Sequence, residues 1–121
     1  MTPSNLFFTK QNNSWLAFEE YVFEQLENKY PDCRIIPQLR LGSGLRPDFV
    51  LECDSKQIVV DAKARLKIEK RDIMQMVDYL LELDADFGII FVPDYTEVSE
   101  AIETFAAEYA IEIEYTDWKF D

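Results

Sequence analysis

RPDFVLECDSKQIVVDAKA, residues 46–64, is the stretch from which the fold follows. Phe49 to Cys53 and Gln57 to Ala62 are short runs rich in Val, Ile and Leu, and Asp54-Ser55-Lys56 between them is turn chemistry, so a strand pair is expected. Pro47-Asp48 opens the first of these strands directly after a loop broken by Gly42-Ser43-Gly44. Asp61 and Lys63 leave the far end of the second strand together, because residues i and i+2 of a strand share a face. Core packing alone does not select an aspartate and a lysine at the end of a run reading IVVDA. The bland alternative is an ordinary ion pair where the strand emerges from the core.

Outward from this pair, Ser14 is a candidate N-cap for a first helix, WLAFEEYVFEQLENKY, that stops before Pro31-Asp32. Cys33 to Leu41 is a short strand that Pro37 confines to an edge or a bulge. A second helix is expected from about Glu69 to Leu83. The apolar run Phe87 to Val92 ends at Pro93 and suits a buried strand. Asp94-x-x-Glu97 is a capping-box pattern for a third helix through about Tyr109, and Ile111 to Tyr115 alternates apolar and acidic residues as a last strand. The order α-β-β-β-α-β-α-β predicts an α/β fold with a mixed central sheet flanked by helices. No repeat, low-complexity tract or linker-like stretch interrupts it, so residues 1–121 are expected to form a single domain.

A chain of 121 residues that is 48% hydrophobic can bury a proper core and is not expected to be disordered. The absence of histidine excludes Ser-His-Asp triads, Cys-His pairs and His-ligated zinc. Whatever chemistry exists must run on carboxylates, lysine, hydroxyls and a hard metal ion. Cys33 and Cys53 form no CxxC and are expected to be free, buried thiols in a reducing cytosol. The N-terminus lacks the apolar core of a signal peptide, and no run approaches the ~18 apolar residues of a membrane span. A cytoplasmic protein with no membrane partner is expected.

The net charge of −12 argues, on its face, against binding nucleic acid. Its distribution argues otherwise. Residues 34–71 hold nine basic residues against five acidic ones and are net +4, whereas residues 1–33 are net −3 and residues 72–121 net −13. The basic residues crowd around Asp48, Asp61 and Lys63, where Arg46, Arg65, Lys67, Lys70 and Arg71 are candidates for phosphate contacts.

On a helical wheel Trp15, Phe18, Val22, Phe23 and Leu26 form one apolar face, with Glu20, Glu24 and Glu27 opposite. Glu19 falls inside the apolar arc. A buried carboxylate normally has a partner, a cation or a metal. In the second helix Gln75 and Tyr79 lie one turn apart, beside the core stripe Ile73, Met76, Leu80 and Leu83.

These residues resemble a known family. Pro47-Asp48, twelve intervening residues and Asp61-x-Lys63 are similar to the PD-(D/E)xK signature of the restriction-endonuclease-like nucleases. Phe18-Glu19 resembles the helix-one glutamate of Holliday-junction resolvases and many restriction enzymes, and Gln75-x-x-x-Tyr79 is similar to the QxxxY motif of RecB-type members. The resemblance covers about residues 14–92 and implies an αβββαβ core.

It further implies a metal-dependent nuclease acting on DNA rather than RNA. Asp48 and Asp61 would ligate Mg²⁺ or Mn²⁺, with Glu19 and the Ala62 carbonyl as further ligands. Lys63 would orient the attacking water, and Gln75 and Tyr79 would support the site or touch substrate. A homodimer, or a helicase or other DNA-binding partner, would help a chain of this size grip its substrate. The competing expectation is a catalytically inactive nuclease-fold protein that acts as an acidic interaction subunit.

Overall fold

The computed structural model describes residues 3–119, with side chains described from residue 15 onward. Eight elements follow one another: α1 (Pro3–Lys29), β1 (Arg34–Pro37), β2 (Phe49–Cys53), β3 (Lys56–Ala62), α2 (Lys70–Leu83), β4 (Phe87–Pro93), α3 (Glu100–Glu108) and β5 (Ile111–Thr116). The strands form one sheet in the order β1-β2-β3-β4-β5. Neighbours β1, β2 and β3 are antiparallel, while β3, β4 and β5 are parallel. This is the mixed α/β sheet that the sequence predicts, with β1 on the edge where Pro37 is tolerated.

Alternation along the strands sorts two cores. Phe49, Leu51, Ile58, Val60, Ile89 and Phe91 meet Phe18, Val22 and Leu26 of α1. Val59, Ile90 and Val92 meet Ile73, Met76, Val77 and Tyr79 of α2, with Ala106 of α3. Burying a Leu, Ile, Val or Phe side chain contributes roughly 1.5–3 kcal/mol, so these two layers fix the sheet between its helices. Gly88 of β4 lies where a Cβ would come within 2.7 Å of the Met76 sulfur, so α2 packs directly onto the strand there.

Three expectations need correction. Helix α1 begins at Pro3 and passes through Ser14, so Ser14 is not its N-cap. Nothing in residues 3–13 breaks a helix internally, and proline is well suited to a first position. Helix α3 begins at Glu100 rather than after Asp94. Ser99 is its N-cap, accepting the Ile102 N–H at 3.1 Å. Asp94 is instead paired with Lys119 at 3.0 Å, and Glu97 forms a parallel bridge with Lys67.

Cys33 and Cys53 are not free thiols but a disulfide. The register that sets Arg34 opposite Glu52 sets Cys33 opposite Cys53, with Cα atoms 4.5 Å apart. That is the separation of a non-hydrogen-bonded antiparallel pair and lies within disulfide reach. The argument from free thiols to a reducing compartment lapses with it. Among the described residues no helix is long and apolar enough to cross a membrane.

Candidate active site

Asp48 precedes β2, Asp61 is the penultimate residue of β3, and Lys63 follows it. The antiparallel pairing of Phe49 with Val60 draws Asp48 to Asp61. Two backbone hydrogen bonds then lock the carboxylates. The Asp48 N–H donates to Asp61 Oδ1 at 3.0 Å, and the Ala62 N–H donates to Asp48 Oδ2 at 2.8 Å. Lys63 shares the Asp61 side of the strand, and its backbone N–H donates to the Phe91 carbonyl at 2.9 Å. Its Nζ lies 3.6 Å from Asp61 Oδ2 and donates to Gln75 Oε1 at 2.9 Å.

With Gln75 and Tyr79 from α2 and Arg46 and Arg65 from the flanking loops, these residues line a cleft of about 240 Å³. Asp48, Asp61, Ala62, Lys63, Gln75 and Tyr79 therefore converge on one cavity. Of the residues nominated as phosphate contacts, Arg46 and Arg65 line it as well.

Glu19 is buried on α1, as its place on the wheel suggests. It sits beside Asp48, but it lines a neighbouring groove of about 720 Å³ rather than the cleft itself. Burial, then the nearby Asp48 carboxylate, pushes its carboxyl up to about 7. Burial and Asp48 push Asp61 up to about 7 as well, against the opposing pull of Lys63. Burial, then Asp61 and Asp48, raises the Tyr79 hydroxyl, which stays protonated and able to donate. Among the described residues no three His, Cys, Asp or Glu side chains are gathered as a ready-made cation cage.

The remaining basic candidates differ in what they already hold. Arg65 is hydrogen-bonded to Asp72, Arg71 lies 3.2 Å from Glu69, and Lys70 stands 5.1 Å over the Phe105 ring. Arg46 and Lys67 have no ion pair or hydrogen-bonding side-chain partner among the described residues.

Two supporting residues escape the sequence reading. Asp72 is buried, accepts the Glu69 N–H at 2.8 Å to complete a capping box, holds Arg65 and stands 4.0 Å from Lys63 Nζ. The Glu69-x-x-Asp72 spacing at the start of α2 is the signal that would have found it. Gln38 donates from Nε2 to Glu19 Oε1 at 3.0 Å and from its backbone N–H to the Asp48 carbonyl at 3.0 Å. It does so at φ 54°, a left-handed conformation that a glutamine rarely adopts. No local sequence pattern announces it.

No family model and no curated protein matches the chain. Solved structures do match it. One is SfsA of Pyrococcus furiosus in complex with Ca²⁺, at 19% identity and TM-score 0.56, covering 87% of this chain and 56% of that one. A repair endonuclease from Pyrococcus abyssi matches at 18% identity and TM-score 0.61, covering 80% of this chain and 46% of that one. EndoMS in complex with dsDNA matches at 17% identity and TM-score 0.66, covering 90% of this chain and 46% of that one. The chain thus spans about half the length of these structures. The fold they share with it is the restriction-endonuclease-like nuclease fold.

Proposed function

We propose that the chain is a divalent-metal-dependent nuclease that hydrolyses phosphodiester bonds in DNA. The observation that carries this reading is the Asp48–Asp61–Lys63 cluster, fixed by backbone hydrogen bonds in an open cleft that Arg46 and Arg65 flank. The donor set suits Mg²⁺ or Mn²⁺, because it offers hard oxygens and no histidine. Two carboxyls pushed up towards neutrality, largely by burial and by Asp48, mark a cluster short of positive charge.

Asp48, Asp61 and the Ala62 carbonyl would hold the cation, with Glu19 behind Asp48 as an outer partner. Water and substrate phosphate would complete the shell, as is usual for Mg²⁺. A cation held there would supply Lewis acidity to the scissile phosphate and to the attacking water. The chain itself does the rest. Lys63, steadied by Gln75, orients that water and stabilises the negative charge that develops on the phosphate. Tyr79 offers a hydroxyl donor at the cleft wall. Arg46 and Lys67 are the cations best placed to take phosphates, since neither is already engaged.

The Ca²⁺ in the SfsA structure and the dsDNA in the EndoMS structure support the cation and substrate classes. The competing reading, an inactive interaction subunit, draws on the −13 charge of residues 72–121.

Labelled single-stranded, duplex and branched DNA incubated with Mg²⁺ or Mn²⁺ separates the two. The nuclease reading expects cutting that chelation abolishes and Asp61→Asn removes. A wild type that cuts none of the three, or an Asp61→Asn variant that cuts equally well, overturns it.

A further inference from the structure

Leu66 is the most exposed large apolar side chain among the described residues, at 79%. A single exposed leucine is ordinary, and Leu81 at 76% is nearly as bare. The two stand in different company. Leu81 is followed by Glu82 on the acidic half of the chain, whereas Leu66 is set between Arg65 and Lys67, three residues beyond Lys63.

The turn that presents Leu66 is also held firmly. The Glu97 N–H donates to the Leu66 carbonyl at 2.8 Å, and the Ile68 N–H donates to the Glu97 carbonyl at 3.0 Å. Thr96 Oγ1, itself buried, donates to the Arg65 carbonyl at 2.5 Å. Lys67 and Glu97 form a parallel bridge, and Arg65 is anchored on Asp72. Thr96 and Glu97, which a helix would otherwise claim, brace this turn. A backbone tied on both sides of a solvated leucine, with a cation before and after it, is suited to a partner that is anionic outside and apolar within.

Building on the nuclease reading, we propose that Leu66 is an apolar wedge that enters the DNA at a base step beside the scissile phosphate. Lys67, which no ion pair among the described residues engages, takes a phosphate beside that step, while Arg65 stays on Asp72 and adds positive potential, which fixes position without reading sequence. Three residues of chain span at most roughly 10 Å, and successive base pairs lie about 3.4 Å apart. With the reach of the two side chains added, the opened step lies within a few nucleotides of the bond Lys63 addresses. The substrate class narrows accordingly to DNA whose local stacking yields cheaply. Flexible pyrimidine–purine steps near the cut should be preferred over stiff A-tracts.

The test uses the Lys63→Ala protein, which keeps the turn but cannot cut, bound in Ca²⁺ to duplexes carrying one 2-aminopurine at successive positions. A rise in fluorescence is expected at a position within a few nucleotides of the cut mapped with wild type. The same rise should be lost when Leu66→Ala is added and restored by Leu66→Met. Because Leu66 is exposed, its removal leaves the fold intact, which circular dichroism checks. An undiminished rise with Leu66→Ala overturns the proposal, as does bound DNA that brightens at no position. If wild type cuts DNA while no position brightens, the wedge falls and the nuclease reading stands. A Leu66-dependent rise with a wild type that cuts nothing keeps the wedge and removes the nuclease.

Discussion

The cleft between the ends of β2 and β3 and the flank of α2 measures about 240 Å³, the groove between α1 and the loop after β1 about 720 Å³, and Trp15 and Arg46 line both. The groove is larger and mostly apolar, with Leu16, Phe23, Pro37 and Phe49 in its walls and Glu20, Glu24 and Glu27 around it. The cleft is small and polar, lined by two carboxylates, a lysine, an amide and a phenol, with Lys63 hydrogen-bonded to Gln75. Cavity size alone would direct attention to the groove. If the chain hydrolyses phosphodiesters, chemistry directs attention to the cleft, because that reaction needs fixed charges at the reacting atoms more than it needs room. Glu19 stands in the groove wall and reaches the cleft chiefly through its neighbour Asp48.

If the cleft is the catalytic centre, the largest effect belongs to Asp48. Asp48→Ala removes a carboxylate and the acceptor of the Ala62 N–H, and DNA cleavage should fall by about 10²–10³-fold or more. Glu24→Gln in the groove should leave cleavage rates unchanged. Equal losses in both variants would erase the distinction between the two cavities.

The disulfide sharpens the comparison from the side of stability. It closes a loop of about twenty residues and ties down the edge strand β1, which leads into the groove wall. Reduction should cost roughly 3 kcal/mol of unfolding free energy, read from urea denaturation with and without dithiothreitol. Cleavage per folded molecule should not change, since Asp48, Asp61 and Lys63 are held by other bonds.

Glu19 tests the boundary between the cavities. As an outer partner of Asp48, its change to Gln should weaken Mn²⁺ binding by about tenfold in calorimetry. Binding equal to wild type would assign Glu19 to the groove alone.

A further prediction concerns pH. Burial, with the neighbouring Asp48, pushes the folded-state carboxyls of Glu19 and Asp61 up to about 7, from 4.5 and 3.8. Between about pH 4 and 7 the folded protein thus holds protons that the unfolded chain has released, and stability must fall as pH rises through that window. Metal-free protein should show a lower Tm at pH 8 than at pH 5, and added Mg²⁺ should raise the Tm more at pH 8. A Tm independent of pH in this range would contradict the burial of the cluster.

Much of this was readable in residues 46–64, because strand alternation and turn chemistry are local and the antiparallel pairing brings Asp48 to Asp61 by itself. The burial of Glu19 followed from helical spacing for the same reason. Other features depend on partners distant in sequence. Gln38 gains its role only because the chain after β1 passes both Glu19 and Asp48. The cysteines form a bond only because the β1–β2 register sets them opposite one another. Asp94-x-x-Glu97 is a sound capping pattern that tertiary contacts overrule, since Lys119 takes Asp94 and the Leu66 turn takes Glu97. The net charge of −12 averages a segment of +4, residues 34–71, with an acidic flank of −13, residues 72–121.

The most direct test is a time course of Mg²⁺-dependent cleavage of one labelled DNA by wild type, Lys63→Ala and Glu24→Gln at equal folded concentration. Wild type and Glu24→Gln should cut at the same rate while Lys63→Ala is slowed by at least about 10²-fold. Lys63→Ala cutting as fast as wild type would contradict the assignment of the cleft as the catalytic centre.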